Sequence, residues 1–281
     1  NPYWIQNRIQ SKDARIRLLL SLSANLKVTD WLTLQARGNL DYSADKLRQK
    51  FYASTATALC GMNGRYIEMD YQETQMYGDV MAMVKKQLND FTLDVAIGGS
   101  INDRITNSTR IDSKNASLKY ANVFNLANIV MSSSASIDQK IDAHYQLQSV
   151  FATAQIGYKE GVFLDLTARN DWSSTLAYTK YEKKGFFYPS VGVSFLPDKW
   201  VKMPEWVSFS KLRGAYSIVG NGVPPFITYP VSYVTAGGEI LASDAAPFAE
   251  MKPEMTHSVE LGIEWKFLQH RLGLNLTYYH T

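Results

Sequence analysis

The stretch "VELGIEWKFLQHRLGLNLTYYHT" (259–281) decides the fold. Val259, Leu261, Ile263, Trp265 and Phe267 alternate with Glu260, Gly262, Glu264 and Lys266. After a short polar break, Leu272, Leu274, Leu276 and Tyr278 alternate with Gly273, Asn275, Thr277 and Tyr279. Period two puts the apolar side chains on one face of a β-strand and the polar ones on the other. A protein core and a lipid bilayer would both accept the apolar face, and the choice between them decides the function.

The same alternation recurs along the chain. Leu18, Leu20, Leu22, Ala24, Leu26 and Val28 form one face. Leu32, Leu34, Ala36, Gly38, Leu40 and Tyr42 form the next, then Phe91, Leu93, Val95, Ile97 and Ile101. Further faces run from Val150 to Tyr158, Val162 to Ala168, Phe187 to Phe195 and Leu212 to Ile218. Residues 76–88 are the least tidy, with apolar residues on both parities. The reading is about ten strands, most of ten residues or more, where a tilted bilayer crossing takes about 9–11. Short turns at 29–31, 89–90, 159–161 and 268–271, with a longer relative at 197–207, alternate with long loops expected near 44–75, 103–144, 173–185 and 220–255. Short turns on one side and long loops on the other is the layout of an outer-membrane barrel.

Composition narrows the alternatives. No run approaches the ~18–20 apolar residues of a spanning helix, and mean hydropathy is slightly negative, which leaves a transmembrane barrel open. The net charge of +3, from 29 basic and 26 acidic residues, suggests no nucleic-acid partner. The single cysteine, Cys60, rules out an internal disulfide and reads as a stray thiol. The chain opens on Asn1 and stops inside an alternating strand, so it reads as a piece of a longer protein.

Two features favour lipid on the apolar face. The tidy apolar faces carry no charge, whereas Arg37, Asp94, Asp165, Arg169, Lys211, Arg213 and Glu260 sit on the opposite parity. Lys86 is the exception, near a short turn where it can snorkel. Aromatic residues also gather at strand ends. Trp31, Phe91, Tyr158, Phe195, Trp200, Trp206, Trp265 and Phe267 lie beside short turns, and Tyr42, Trp172, Phe187 and Tyr278 lie toward the long loops. Two aromatic bands around an aliphatic middle match the interfacial girdles of a barrel.

Catalytic chemistry finds little support. The four histidines (144, 257, 270, 280) have no metal-ligand spacing. Glu68, Asp70 and Glu73 read as a solvated acidic loop. "GNG" (220–222) lacks the Lys-Ser/Thr of a phosphate loop. The sequons at Asn107 and Asn115 carry no weight in a bacterial outer membrane, and "SSSAS" (132–136) is mildly low in complexity. Neither cofactor nor metal is expected. Tyr52, Tyr66, Tyr71, Trp172, Tyr178 and Tyr181 are the candidate ligand-binding platforms, Trp172 belonging alternatively to the outer girdle. The polar strand parity, with Arg37, Asp165, Arg169, Lys211 and Arg213, is expected to line a hydrated lumen.

"NPYW" (1–4), "VTDWLTLQARGNLDY" (28–42), "FLDLTARNDWSST" (163–175), "FFYPSVGVSFL" (186–196), "KLRGAYSIVGN" (211–221) and the segment 251–281 together resemble the barrel of SusC/RagA-type TonB-dependent outer-membrane transporters of Bacteroidetes. The resemblance runs across essentially the whole chain. It implies an all-β fold, an antiparallel sector of a 22-stranded transmembrane barrel without its plug, and location in the bacterial outer membrane. It also implies a TonB complex reached through a missing N-terminal part, a SusD-like surface lipoprotein as lid, and oligosaccharide or sometimes peptide as cargo. A siderophore- or vitamin-type TonB-dependent receptor, a barrel enzyme and a soluble β-rich binding module remain as alternatives.

Overall fold

The computed structural model describes residues 2–114, 118–130, 136–229, 231–234, 238–243, 246 and 248–281. Asn115 and most of "SSSAS" lie outside the described residues. A short helix, α1 (Pro2–Arg8), leads into β1 (Ile9–Lys27). Then follow β2 (Leu32–Phe51), β3 (Arg65–Leu88), β4 (Phe91–Asp112), β5 (Ser136–Tyr158), β6 (Val162–Ser173), β7 (Phe186–Phe195) and β8 (Val207–Asn221). A small hairpin of β9 (Tyr233–Val234) and β10 (Ile240–Leu241) interrupts the last long loop, before β11 (Glu254–Phe267) and β12 (Leu272–His280). Ten strands form one antiparallel sheet in the order β1-β2-β3-β4-β5-β6-β7-β8-β11-β12. No described helix is long and apolar enough to cross a membrane.

The register aligns the apolar parities into unbroken rows. Leu26, Leu34, Ala82, Ile97, Ala152, Ala168 and Pro189 stand side by side across seven strands. The next row runs Val84, Val95, Ala154, Leu166, Val191, Tyr216, Val259. A one-residue slip in any pair would turn these side chains to the polar side, so the pattern itself fixes the register. The face is bare: Leu22 is 80% exposed, Val80 63% and Ile97 57%. A sandwich would cover such a sheet with a second one. An apolar surface of this extent needs a hydrocarbon solvent, and it forms the belt of a transmembrane barrel.

Several strands run beyond the expected limits. The first long loop, expected over 44–75, contracts to 52–64, because β2 and β3 stay paired to Phe51 and Arg65. The second, expected over 103–144, contracts to 113–135, and β1 begins at Ile9 rather than near residue 17. The reason is local. In "DYSADKLRQK" (41–50) both parities are polar, so period two disappears while backbone pairing continues. At ~3.4 Å per residue, the 24 residues of β3 extend roughly 80 Å, far beyond one crossing of the bilayer. The first five strands therefore project as a wall past the belt. The loops 174–185 and 222–253 keep close to their expected limits.

The short turns use left-handed residues, φ +51° at Asn89 and +48° and +54° at Lys159 and Glu160. A small buried hydrophobic cluster sits at the far end of the projecting wall. There Tyr66, Leu118 and Ile129 pack with Ile111 and Phe124. The loops 52–64 and 118–130 close over it as a cap, tied by Asn63 Nδ2 donating to the Leu118 carbonyl at 2.8 Å and Asn122 Oδ1 accepting from Ala53 N–H at 2.7 Å.

Candidate functional site

The face opposite the belt is a lattice of ion pairs, laid down by the same alternation. Arg15 and Asp45 stand directly opposite across β1 and β2 and pair. Arg17 faces Ser43 and reaches diagonally to Asp41 at 2.6 Å. Arg37 on β2 meets the enclosed Asp79 on β3 at 3.0 Å. Arg104 on β4 meets Glu73 at 2.7 Å. Arg169 on β6 holds Asp171 at 2.7 Å and donates to Ser149 Oγ, also at 2.7 Å. Cross-strand neighbours on one face are within reach of each other, so a polar parity with both signs pairs itself.

Toward the projecting end this inner face hollows into a polar concavity of about 260 Å³ lined by Arg15, Arg17, Asp41, Asp45, Tyr71 and Glu73. Tyr71 donates to Glu73 Oε2 at 3.2 Å. Beside it, Arg104 Nε and Thr106 Oγ1 are buried without a hydrogen-bond partner. Exposed ion pairs hold weakly against water. A charged or zwitterionic solute can therefore open them and take either partner, and the mixed signs leave no strong field to trap it.

The six predicted platforms do not converge. Tyr71 lines the concavity. Tyr66 was expected in an exposed loop but lies on β3, 5% exposed, donating to Glu68 at 2.8 Å and packed in the cap. It offers no face to a solute, because its neighbours Leu118, Phe124 and Ile129 arrive from a distant loop. Tyr52 meets Phe124 edge-on, ring centroids 4.9 Å apart, and Arg8 lies 5.3 Å from the centre of the Tyr52 ring. Tyr178 stacks on Tyr229 at 4.6 Å in the loops, and Tyr181 meets Phe186 at 6.0 Å. Trp172 stands opposite Gln148 on the belt parity. Arg15, Asp45 and Arg104 are inner-face residues that the period-two reading missed. The strand extensions carrying the first two were not visible in the pattern.

The remaining expectations take clear places. Trp265 and Phe267 pair with Leu274 and Leu272 on the belt face. Phe91, Tyr158 and Trp200 form a run of rings beside the short turns, 4.7 and 5.6 Å apart. Phe187 and Phe195 alternate on β7 with Phe186 and Ser194. Tyr42 and Tyr278 stand opposite Leu18 and Leu261. Cys60 is buried, its thiol directed at the Thr55 and Tyr52 carbonyls, and burial pushes its pKa up. A buried thiol kept protonated is inert.

The family described as "TonB dependent receptor-like, beta-barrel" matches residues 1–281. The chain belongs to this family of TonB-dependent receptor barrels. Among solved structures it is similar to the RagAB peptide transporter, with TM-score 0.83 and 17% identity over 99% of this chain and 31% of that one. The RagAB peptide importer in its closed-closed state gives 0.82 and 18%, with the same coverages. The siderophore receptor PiuA from Acinetobacter baumannii gives 0.57 and 13%, over 95% of this chain and 40% of that one. No curated protein matches the chain. At these identities the likeness establishes the barrel fold, and the chain spans about a third of the transporter chains it matches.

Proposed function

We propose that this TonB-dependent receptor barrel is a sector of an outer-membrane active importer of the SusC/RagA type. It takes up oligosaccharide or peptide, is energised by a TonB complex through an N-terminal part outside this chain, and works with a SusD-like surface lipoprotein. The observation that carries the reading is the two-sided sheet, an apolar belt ten strands wide backed by a hydrated lattice of opposite charges. A lattice of both signs suits peptides, whose termini and side chains carry both. The fuller overlap with RagAB than with PiuA supports the SusC/RagA branch over a siderophore receptor.

The test is isolation of the full-length protein from outer membranes, followed by uptake of labelled peptide and oligosaccharide. The expected result is a co-purifying surface lipoprotein and accumulation of one of the two solutes only while the inner membrane is energised. Uptake of a ferric siderophore with no lipoprotein attached would replace this reading with the siderophore-receptor one.

A further inference from the structure

The lysines along the short-turn rim are not alike. Lys27 pairs with Asp30 at 2.8 Å, Lys85 with Asp94 at 3.5 Å and Lys159 with Asp90 at 3.7 Å. Lys86 has no carboxylate within ion-pair distance among the described residues. Its Nζ lies 5.9 Å from the centre of the Trp31 ring. Lys86 also stands on the belt parity, opposite Leu93, where its neighbours along β3 are Val84 and Leu88. It is an exposed, unneutralised ammonium beside an interfacial indole, on a face that otherwise meets hydrocarbon.

Farther along the same face lies a groove of about 530 Å³, lined by Ala24, Leu26, Leu34, Ala36, Val80 and Ala82. It exists because small residues coincide in register: Ala24 faces Ala36, and Ala36 faces Val80. Ala82, Val84 and Lys86 follow one another on this parity, so the ammonium is roughly 14 Å from the groove at ~3.4 Å per residue. A cation at the interface with an apolar groove roughly 14 Å farther toward the bilayer centre has the spacing and polarity of one phospholipid. A phosphate satisfies the ammonium, and an acyl chain fills the groove.

We infer that Lys86, Trp31 and the Ala24–Ala36–Ala82 groove form a site for a single anionic glycerophospholipid of the leaflet on the short-turn side. The phosphate sits on Lys86 Nζ and one acyl chain lies in the groove. The inference rests on the membrane-crossing reading of the belt and is independent of the cargo. Charge complementarity selects the occupant: a sugar or an apolar peptide would leave the ammonium unpaired, and a free anion would leave the groove empty.

The full-length protein is extracted in mild detergent and titrated with phosphatidylglycerol under native mass spectrometry. Dioleoylglycerol, which lacks phosphate, and inorganic phosphate are run in parallel. The expected result is one phosphatidylglycerol retained, with retention falling about fivefold in Lys86→Gln and unchanged in Lys85→Gln. Ala36→Phe, which fills the groove, is expected to lower retention with Lys86 intact, and heat-modifiable gel migration checks that each variant is a folded barrel. Equal retention by the wild type and Lys86→Gln overturns the site. So does an equal loss in Lys85→Gln, which signals bulk charge alone, or displacement by inorganic phosphate alone. Absence of the protein from the membrane fraction is a separate outcome, which removes the membrane reading itself.

Discussion

The strands β2 to β5 each live in two environments, and the outer parity differs between them. In the belt half it reads Leu34, Ala36, Gly38, Leu40 on β2 and Val80, Ala82, Val84 on β3. In the projecting half the same parity reads Lys46 and Arg48 on β2, facing Asp70 at 3.5 Å and Glu68 at 3.1 Å. Backbone pairing passes through the change without interruption. Hydrogen bonding therefore decides where the sheet is, and the solvent decides what its outer face is made of. The inner parity carries ion pairs in both halves, from Arg15 to Arg169, with Met81 and Met83 on β3 as apolar exceptions.

The sharpest way to break this contrast is to put one charge at each level. Val80→Arg, in the belt, is expected to lower barrel stability by about 2–4 kcal/mol. Gln72→Arg, on the same strand and parity in the projecting half, is expected to change it by no more than ~0.5 kcal/mol. Urea titration of the full-length protein in lipid vesicles reads both, and equal effects would remove the belt.

A smaller effect tests the cap that the wall supports. Asp112 is buried, accepts two hydrogen bonds from Arg65 at 2.8 and 2.7 Å and one from Arg110 at 2.8 Å, and takes the Lys114 N–H at 2.9 Å. Burial opposes its charge, but the arginines and the N–H prevail and hold its carboxyl below the usual range. Asp112→Asn is expected to cost about 1–3 kcal/mol, read as faster proteolysis within 52–64 and 118–130. The depressed carboxyl sets the sign with pH. Its contribution is complete above the ordinary carboxylate range and is lost as pH falls through the lower folded value. Acid should therefore loosen the wild-type cap and leave the Asp112→Asn variant less affected.

The smallest structural effect belongs to the inner lattice. Arg17→Gln removes one exposed pair and is expected to leave stability unchanged while altering affinity for charged solutes. Isothermal titration with a short acidic peptide checks this, and a loss of stability without a change in binding would make the lattice structural rather than solute-facing.

The belt was legible in the sequence because lipid on one side and water on the other impose period two on most crossings, residues 76–88 being the exception. Leu18 to Leu26 and Val259 to Phe267 display it without ambiguity. The projecting half was not, because water wets both faces of residues 41–50 and period two has nothing to report. Tyr66 misled for a different reason. Its burial depends on Leu118 and Ile129, and no local pattern announces partners that arrive from a distant loop. The inner charges Arg37 and Arg169 could be assigned by parity, and Asp171 stands two residues from Arg169 on the same strand, but the pairing of Arg37 with Asp79 came only with the register.

The length of β3 has one further consequence. About ten of its residues stand clear of the belt, a reach of roughly 30 Å along the strand. Because β2, β3 and β4 in that stretch are each hydrogen-bonded on both sides, it behaves as a stiff parapet rather than a tether. A molecule approaching from the long-loop side meets this carved surface well before it meets the lipid. First encounter happens at height, on rigid ground.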